Sequence, residues 1–201
     1  MKPRFIKLFL ALFLPFASFL LLAHFLFYYN NKYENNPVYP MGGVMFCSDA
    51  DLSGDSVIFL AHQWNFFPGK QYTPSDFNEK SVTGGTFLTL GSFGNFSLGS
   101  TSEASNGTAT YRLTLSLPDT ARTYSLYLPE IFSAYTLYLN EEKVCSQGNS
   151  DPAHYQDLIG NKEISFTASG TVHITIIVTN YSHIYSGITY PPAFGTVTAV
   201  S

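Results

Sequence analysis

The stretch TYRLTLSL, Thr110–Leu117, alternates between apolar and polar side chains. The apolar ones share one face of an extended chain: Tyr111, Leu113, Leu115 and Leu117. The polar ones share the other face: Arg112, Thr114 and Ser116. Because successive side chains of a β-strand point to opposite faces, this pattern predicts a strand with one buried side. On the exposed side we expect Arg112 to pair with a carboxylate across the sheet.

The same alternation recurs along the chain. It is found in YSLYL from Tyr124, in YTLYLN from Tyr135 and in VHITIIV, Val172–Val178. Glycine, proline, asparagine and aspartate separate these runs and mark turns. Only PSDFNE, Pro74–Glu79, predicts a helical turn. Many short strands joined by turns are typical of an all-β fold, and we predict an antiparallel β-sandwich or jelly roll.

The N-terminus predicts a membrane helix. From Leu8 to Asn31 there is no Asp, Glu, Lys or Arg, and about 20 apolar residues suffice to cross the hydrocarbon core. Because Lys2, Arg4 and Lys7 precede this run, the C-terminal part is expected outside the cytoplasm. The alternative is a cleaved signal peptide, although its apolar core is normally shorter, about 7–15 residues.

The sequence therefore divides into four parts. We predict a cytoplasmic N-terminus at residues 1–7, a transmembrane anchor at 8–29, a linker at 30–48 and an extracytoplasmic sandwich at 49–201. The predicted localisation is the cell membrane, with a single pass. Net charge is −4 and only 12% of residues are charged, so a nucleic acid partner is not expected. Two alternatives stay open for Cys47 and Cys145, a disulfide or two buried free thiols.

No pattern in the sequence indicates catalysis, a metal or a cofactor. Asp49, Asp51, Ser53 and Gly54 resemble the start of a calcium loop, but Leu60 stands where the loop needs glutamate. The five histidines show no i, i+4 pair and no cysteine cluster accompanies them. No nucleophile has a recognisable elbow motif. We therefore expect a protein that is not an enzyme.

The residues that follow the last long strand are candidates for ligand binding. The stretch IIVTNYSHIYSGITYPPAFGTVTAV, Ile176–Val200, is expected to leave a strand, cross one end of the sandwich and resume a strand. Loops at such an end commonly carry function. The predicted binding residues are Asn180, His183, Tyr190, Tyr135, His154 and Tyr155. The competing interpretation is structural: Asn180 caps the turn and Tyr190 fills the core, as we expect for Trp64 and Phe194.

Three stretches resemble the extracytoplasmic domain of bacterial seven-transmembrane receptors with diverse intracellular signalling modules. The first is FLAHQWNFFPGKQYTPSDF, with Trp64, Phe66 and a Pro-x-Asp-Phe ending at Phe77. The second comprises ATYRLTLSL and YSLYLPEIFSAYTLYLNEEKVCSQG. The third is Ile176–Val200, which resembles a Ser-Asn-aromatic-x-His stretch closing on Pro-Pro and Gly. Together they cover about residues 56–200.

The resemblance implies a galactose-binding-like jelly roll, a fold also similar to accessory domains of many glycosidases. Two departures are visible. Ala61-His62 replaces the usual Asp-Gly, and Asn140-Glu141 replaces the hairpin Asn-Gly, so a longer or strained hairpin is expected. The sequence also lacks the seven helices and the output domain of such receptors, so we expect a stand-alone relative or a shortened reading frame.

Two functions follow as hypotheses. The first is a membrane-anchored extracytoplasmic ligand-binding or sensor module, for carbohydrate or another small polar ligand, which lacks its own signalling output. The second is a non-catalytic interaction or structural domain that docks on a membrane receptor or an envelope enzyme. An exposed polar-rimmed pocket near His183 favours the first and a flat apolar patch favours the second.

Overall fold

The structure is a computed structural model that describes residues 3–29, 33, 36–79, 82–90, 96, 105–151 and 153–200. Within these residues the chain forms two compact units, residues 1–36 and 37–201. Lys2 of the predicted N-terminal segment and parts of the predicted linker, residues 30–32 and 34–35, lie outside the described residues.

The first unit is built on helix α1, Pro3–Tyr29, which continues through Pro15. Its segment Arg4–Tyr28 is long and apolar enough to cross a membrane. The helix therefore begins several residues before the apolar run, so that Arg4 and Lys7 belong to its first turns.

The second unit is an all-β sandwich of two sheets, as the alternation predicts. In chain order the strands and short helices are β1 (Val44–Phe46), β2 (Val57–Phe59), β3 (Trp64–Pro68), α2 (Pro74–Glu79), β4 (Thr86–Leu88), β5 (Gly107–Ser116), β6 (Arg122–Leu128), β7 (Ala134–Leu139), β8 (Glu142–Gln147), β9 (Lys162–Ala168), β10 (Thr171–Asn180), β11 (Ala193–Thr196) and α3 (Val197–Val200).

One sheet has the order β4-β3-β5-β10-β7-β8, with β1 also paired to β5, and the other has the order β2-β11-β6-β9. Among the described residues, every strand pairing is antiparallel except that of β1 with β5, which is parallel.

The core lies between the two sheets because the apolar faces of their strands meet there. From β10, the four residues that the alternation assigns to one face are all buried: Val172, Ile174, Ile176 and Val178. Phe194 from the other sheet is also fully buried, as predicted. Trp64 is buried as well, and its indole Nε1–H donates to the Leu60 carbonyl at 2.7 Å. That bond satisfies the one polar group of the ring, which makes its burial favourable.

Three local features differ from the expectations. Residues 44–46, placed in the predicted linker, form β1 and belong to the sandwich, because a parallel partner on β5 completes their hydrogen bonding. The last four described residues form α3 rather than continuing the final strand. The β7–β8 hairpin is tight, with Leu139 paired to Glu142. Asn140 adopts φ of +54° there, a conformation that asparagine tolerates better than most residues, so no longer loop is needed.

Cys47 and Cys145 are both buried free thiols. Cys47 directly follows β1, and Cys145 lies in β8, four strand-to-strand steps away across β5, β10 and β7. At about 4.8 Å per step this separation is roughly 19 Å, whereas a disulfide needs Cα atoms about 4.4–6.8 Å apart. The topology therefore excludes a disulfide between them. Burial raises the pKa of Cys47 to about 12, so this thiol stays protonated and unreactive.

Candidate functional site

Asn180, the last residue of β10, organises the loop that follows. Its side chain is fully buried. Its Nδ2 donates to the Ser105 carbonyl at 2.8 Å and to the His183 carbonyl at 2.6 Å, and its Oδ1 accepts the His183 backbone N–H at 3.1 Å. Asparagine commonly closes turns in this way. Of the two interpretations, the structure therefore shows Asn180 as the residue that caps the turn.

The loop held by Asn180 places three rings together, which we call the rim cluster: Phe132, His183 and Tyr185. Phe132 stacks on the imidazole with centroids 4.9 Å apart and planes 11° apart. Tyr185 lies 5.4 Å from the imidazole and 6.0 Å from Phe132. Such distances are those at which aromatic pairs attract one another. The cluster is therefore held together by its own ring contacts.

The backbone fixes the tautomer of His183. Its Nδ1 accepts the backbone N–H of Tyr185 at 3.0 Å. In a neutral imidazole one nitrogen accepts and the other donates, so Nε2 carries the proton. The structure gives Nε2 no partner among the described residues. The rim cluster therefore combines apolar ring faces with one N–H donor.

A second pair of rings lies beside the rim cluster. Tyr155 meets Tyr181 edge to face, with centroids 5.2 Å apart. The Tyr155 hydroxyl lies 3.5 Å from Asn180 Oδ1, and Ser182 donates to the Asp157 carboxylate at 2.8 Å. These contacts bring the 155–157 segment against the loop after β10, as the predicted site requires.

The rings at this end of the sandwich are accessible. Tyr181 is 40% exposed and Tyr185 is 37% exposed, while Ile184 between them is 71% exposed. His183, Phe132 and Tyr155 are half-buried. Aromatic side chains with one open face and one packed face provide contact area at low cost in side-chain entropy.

The other predicted site residues are distributed differently. Tyr135 is buried in β7 because it shares the inward face with Leu137 and Leu139, so it is not available to a ligand. Burial also raises its pKa, with a smaller contribution from Cys145. Tyr190 is half-buried. His154 lies on an exposed turn and pairs with Asp151 at 2.9 Å, a contact that lowers the pKa of Asp151.

Phe132 and Tyr185 are the rim residues that the sequence did not indicate. Phe132 lies between β6 and β7, in the segment LPEIFSAY, where no strand period assigns it to the core. A large apolar ring in a short connection, beside buried Ile131 and Ser133, is the signal that points to it.

No protein-family model matches the chain, and no curated protein matches its sequence. Among solved structures, the β-glucuronidase of Faecalibacterium prausnitzii matches with a TM-score of 0.53 and 14% identity, over 69% of this chain and 31% of that chain. A β-glucuronidase of an uncultured Clostridium species matches with a TM-score of 0.50 and 17% identity, over 69% of this chain and 28% of that chain.

This chain therefore spans less than a third of the length of these enzymes. At such identity the likeness shows the fold alone: the sandwich resembles part of glycosidase chains. That agrees with the jelly-roll resemblance inferred from sequence, whereas the receptor context stays a prediction.

Proposed function

We propose that this chain is a membrane-anchored extracytoplasmic module that binds a carbohydrate or another small polar ligand at the rim cluster. The observation that carries the proposal is the accessible group of stacked rings around His183, at the end of the sandwich where its loops meet. Ring faces suit the apolar face of a sugar, and the Nε2–H suits a hydroxyl oxygen.

Two further observations support the proposal. Two solved structures that share the fold are named β-glucuronidases, so a carbohydrate is the first ligand class to test. The helix Arg4–Tyr28 has the length and composition of a membrane span. We propose that the module senses its ligand without catalysis and passes the signal to a membrane receptor as partner.

The second candidate function is protein docking. Ile184 is 71% exposed, and Leu158 and Ile159 are 56% and 47% exposed. Leu158 and Ile159 directly follow Asp157, whose carboxylate accepts a hydrogen bond from Ser182. Ile184 lies two residues after Ser182, so the three apolar side chains belong to the same end of the sandwich. Exposed apolar side chains close together are typical of interaction surfaces. This surface favours a receptor or an envelope enzyme as partner.

Ligand binding at the rim cluster is tested with the full chain in a polyoxyethylene detergent, which carries neither sugar nor charge. A panel of monosaccharides and small polar metabolites is screened by calorimetry. We expect His183→Ala and Tyr185→Ala each to weaken binding by roughly tenfold or more, which corresponds to about 1.4 kcal/mol.

Phe87→Ala serves as the matched control for these substitutions, because it removes a ring that is 53% exposed in β4. It is expected to bind like the parent. No binding by the parent protein, together with cross-linking of Ile184 and Leu158 to one membrane protein, selects the docking function instead.

The orientation of the anchor gives a separate prediction. A protease added outside intact cells is expected to degrade the chain after about residue 29 and to leave a short membrane-bound peptide, because positive residues stay on the cytoplasmic side. Immunoblotting with an N-terminal tag measures this. A sandwich protected from the protease contradicts the orientation, and a released chain that begins after residue 20 shows a cleaved signal peptide.

A further inference from the structure

A polar cleft lies on the face of the larger sheet that points away from the core. Its volume is about 420 Å³, within the range of about 300–1,000 Å³ typical of small-molecule sites. It is lined by Pro74, Asn78, Arg112, Asn140, Glu141 and His173. These residues come from α2, from β5 and β10, and from the β7–β8 hairpin.

The walls of this cleft are held in place by hydrogen bonds. The segment before α2 is fixed on the sheet because Thr110 Oγ1 accepts the Tyr72 N–H at 2.8 Å and donates to the Lys70 carbonyl at 2.9 Å. The hairpin is fixed because Asn140 Oδ1 accepts the His173 N–H at 2.8 Å. The Asn78 amide donates to Glu141 at 2.7 Å and joins the two walls. The cleft is therefore a built cavity.

Arg112 carries a positive charge in this cleft, and no carboxylate among the described residues pairs with it. Among these residues Arg122 pairs with Asp49 and His154 contacts Asp151, and the expected cross-sheet partner of Arg112 is not found. Its guanidinium lies 4.1 Å from the centroid of Phe77, and its hydrogen bond to Thr175 Oγ1 is long at 3.5 Å.

A guanidinium has five N–H donors in a planar fork. Arg112 is half-buried, and this burial lowers its pKa because the charged guanidinium has lost water. The Phe77 ring compensates this loss in part. Guanidinium N–H donors that face a concave site can bind a carboxylate through two parallel hydrogen bonds, in bidentate geometry.

The residues near Arg112 indicate which class of anion the cleft can bind. His173 bonds through Nδ1 to Thr114 at 3.0 Å, and its pKa is lowered by burial and by Arg112, so it stays neutral near pH 7. The Glu141 carboxylate adds a negative charge at the edge of the cleft and disfavours a dianion. It also supplies an acceptor for a hydroxyl group. The site therefore suits a monoanion that carries a hydroxyl.

We propose that this cleft is a second binding site, distinct from the rim cluster, that takes small 2-hydroxy carboxylates with Arg112 as the carboxylate ligand. The guanidinium fork holds the carboxylate, and Glu141 accepts the hydroxyl. No residue of the rim cluster lines the cleft. Binding at the cleft and binding at the rim cluster can therefore be tested independently of each other.

The test uses lactate as the probe and the full chain, with histidine rings labelled in carbon-13, in a polyoxyethylene detergent. NMR follows the His173 ring signal, which is assigned by its loss in His173→Gln. Lactate is expected to move this signal with a Kd in roughly the millimolar range. Lactamide, the neutral isostere, is expected to leave it unchanged.

Three variants, and inorganic phosphate as a second anion, decide the outcome. Arg112→Gln is expected to weaken lactate binding by at least about tenfold, and Arg112→Lys by less, since lysine keeps the charge but not the fork. His183→Ala is expected to bind lactate like the parent. The unchanged signals of the remaining histidines show that each variant is folded, and Arg112→Lys supplies the answer if Arg112→Gln unfolds.

The proposal is overturned if lactate leaves the His173 signal in place, if lactamide shifts that signal equally, if the arginine variants bind lactate like the parent, or if inorganic phosphate binds more tightly than lactate.

Discussion

Replacing Asn180 with alanine is expected to lower the free energy of unfolding by about 2–4 kcal/mol. The substitution leaves the His183 N–H and the carbonyls of Ser105 and His183 without their partner. Each buried polar group that loses its hydrogen bond costs roughly 1–3 kcal/mol, and because Ser105 and His183 are only half-buried, the three groups together are expected to cost less than three fully buried ones. In a domain of this size the melting temperature should fall by roughly 5–15 °C, since 1 kcal/mol corresponds to about 2–4 °C. Thermal unfolding of the full chain in detergent, followed by circular dichroism, measures the change.

Asn78→Ala is the matched control for this substitution. Asn78 also uses its amide in one hydrogen bond, to Glu141, but it is exposed. Surface substitutions usually change stability by less than about 0.5 kcal/mol. Asn180→Asp keeps an acceptor for the His183 N–H but loses the Nδ2 donors, so an intermediate loss is expected. An Asn180→Ala protein that melts like the parent and fails to bind its ligand assigns this residue to binding instead.

The role of Asn180 shows what strand period can and cannot predict. The alternation in Thr110–Leu117 and Val172–Val178 identifies the buried faces of β5 and β10, because period two leaves only one face for the core. The alternation does not show at which residue β10 ends. A polar side chain directly after a buried run is equally compatible with a cap and with a ligand contact. The bonds to Ser105 and His183 decide between them, and Ser105 is 75 positions away in the sequence.

The predicted site differs from the structure at two residues. Tyr135, the second residue of β7, lies opposite Val178 of β10. Its alternation with Leu137 and Leu139 puts it on the buried face, so strand period identifies it as a core residue. Phe132 lies outside any strand, so no period fixes its direction. Its contact with His183 arises because the β6–β7 connection and the loop after β10 meet at one end of the sandwich. Such contacts depend on topology, which alternation alone leaves undetermined.

Arg112 gives a third case. The alternation correctly places it opposite the core face, yet the expected carboxylate does not lie beside it among the described residues. Residues 69–79 cover this part of the sheet, and Phe77 occupies the position over the guanidinium. Sequence period assigns a residue to a face, whereas the element that covers the face determines what the residue contacts.

Replacing Gly187 with alanine is expected to cost about 2–4 kcal/mol of stability, for two separable reasons. Gly187 has φ of +79°, and a side chain in that region costs roughly 1–2 kcal/mol. In addition, the new Cβ meets the hydroxyl of Tyr111, a buried residue of β5. Overpacking of this kind typically adds about 1–3 kcal/mol. The hydroxyl has little freedom to move because the buried Tyr111 ring packs against Phe66, with centroids 4.9 Å apart.

Two other variants separate the causes in the same thermal unfolding measurement. Gly170→Ala is the matched control, since Gly170 has φ of +64° with no atom within 4 Å of a new Cβ, and it should show the backbone cost alone. Tyr111→Phe removes the hydroxyl and leaves the ring carbon Cζ at 3.3 Å from the new Cβ. In that background Gly187→Ala should cost about as much as Gly170→Ala, so that the two substitutions couple by about 1–3 kcal/mol. If Gly187→Ala lowers the free energy of unfolding no more than Gly170→Ala does in the parent protein, the Tyr111 hydroxyl can move aside without cost. Glycine is then required at position 187 for its backbone conformation alone.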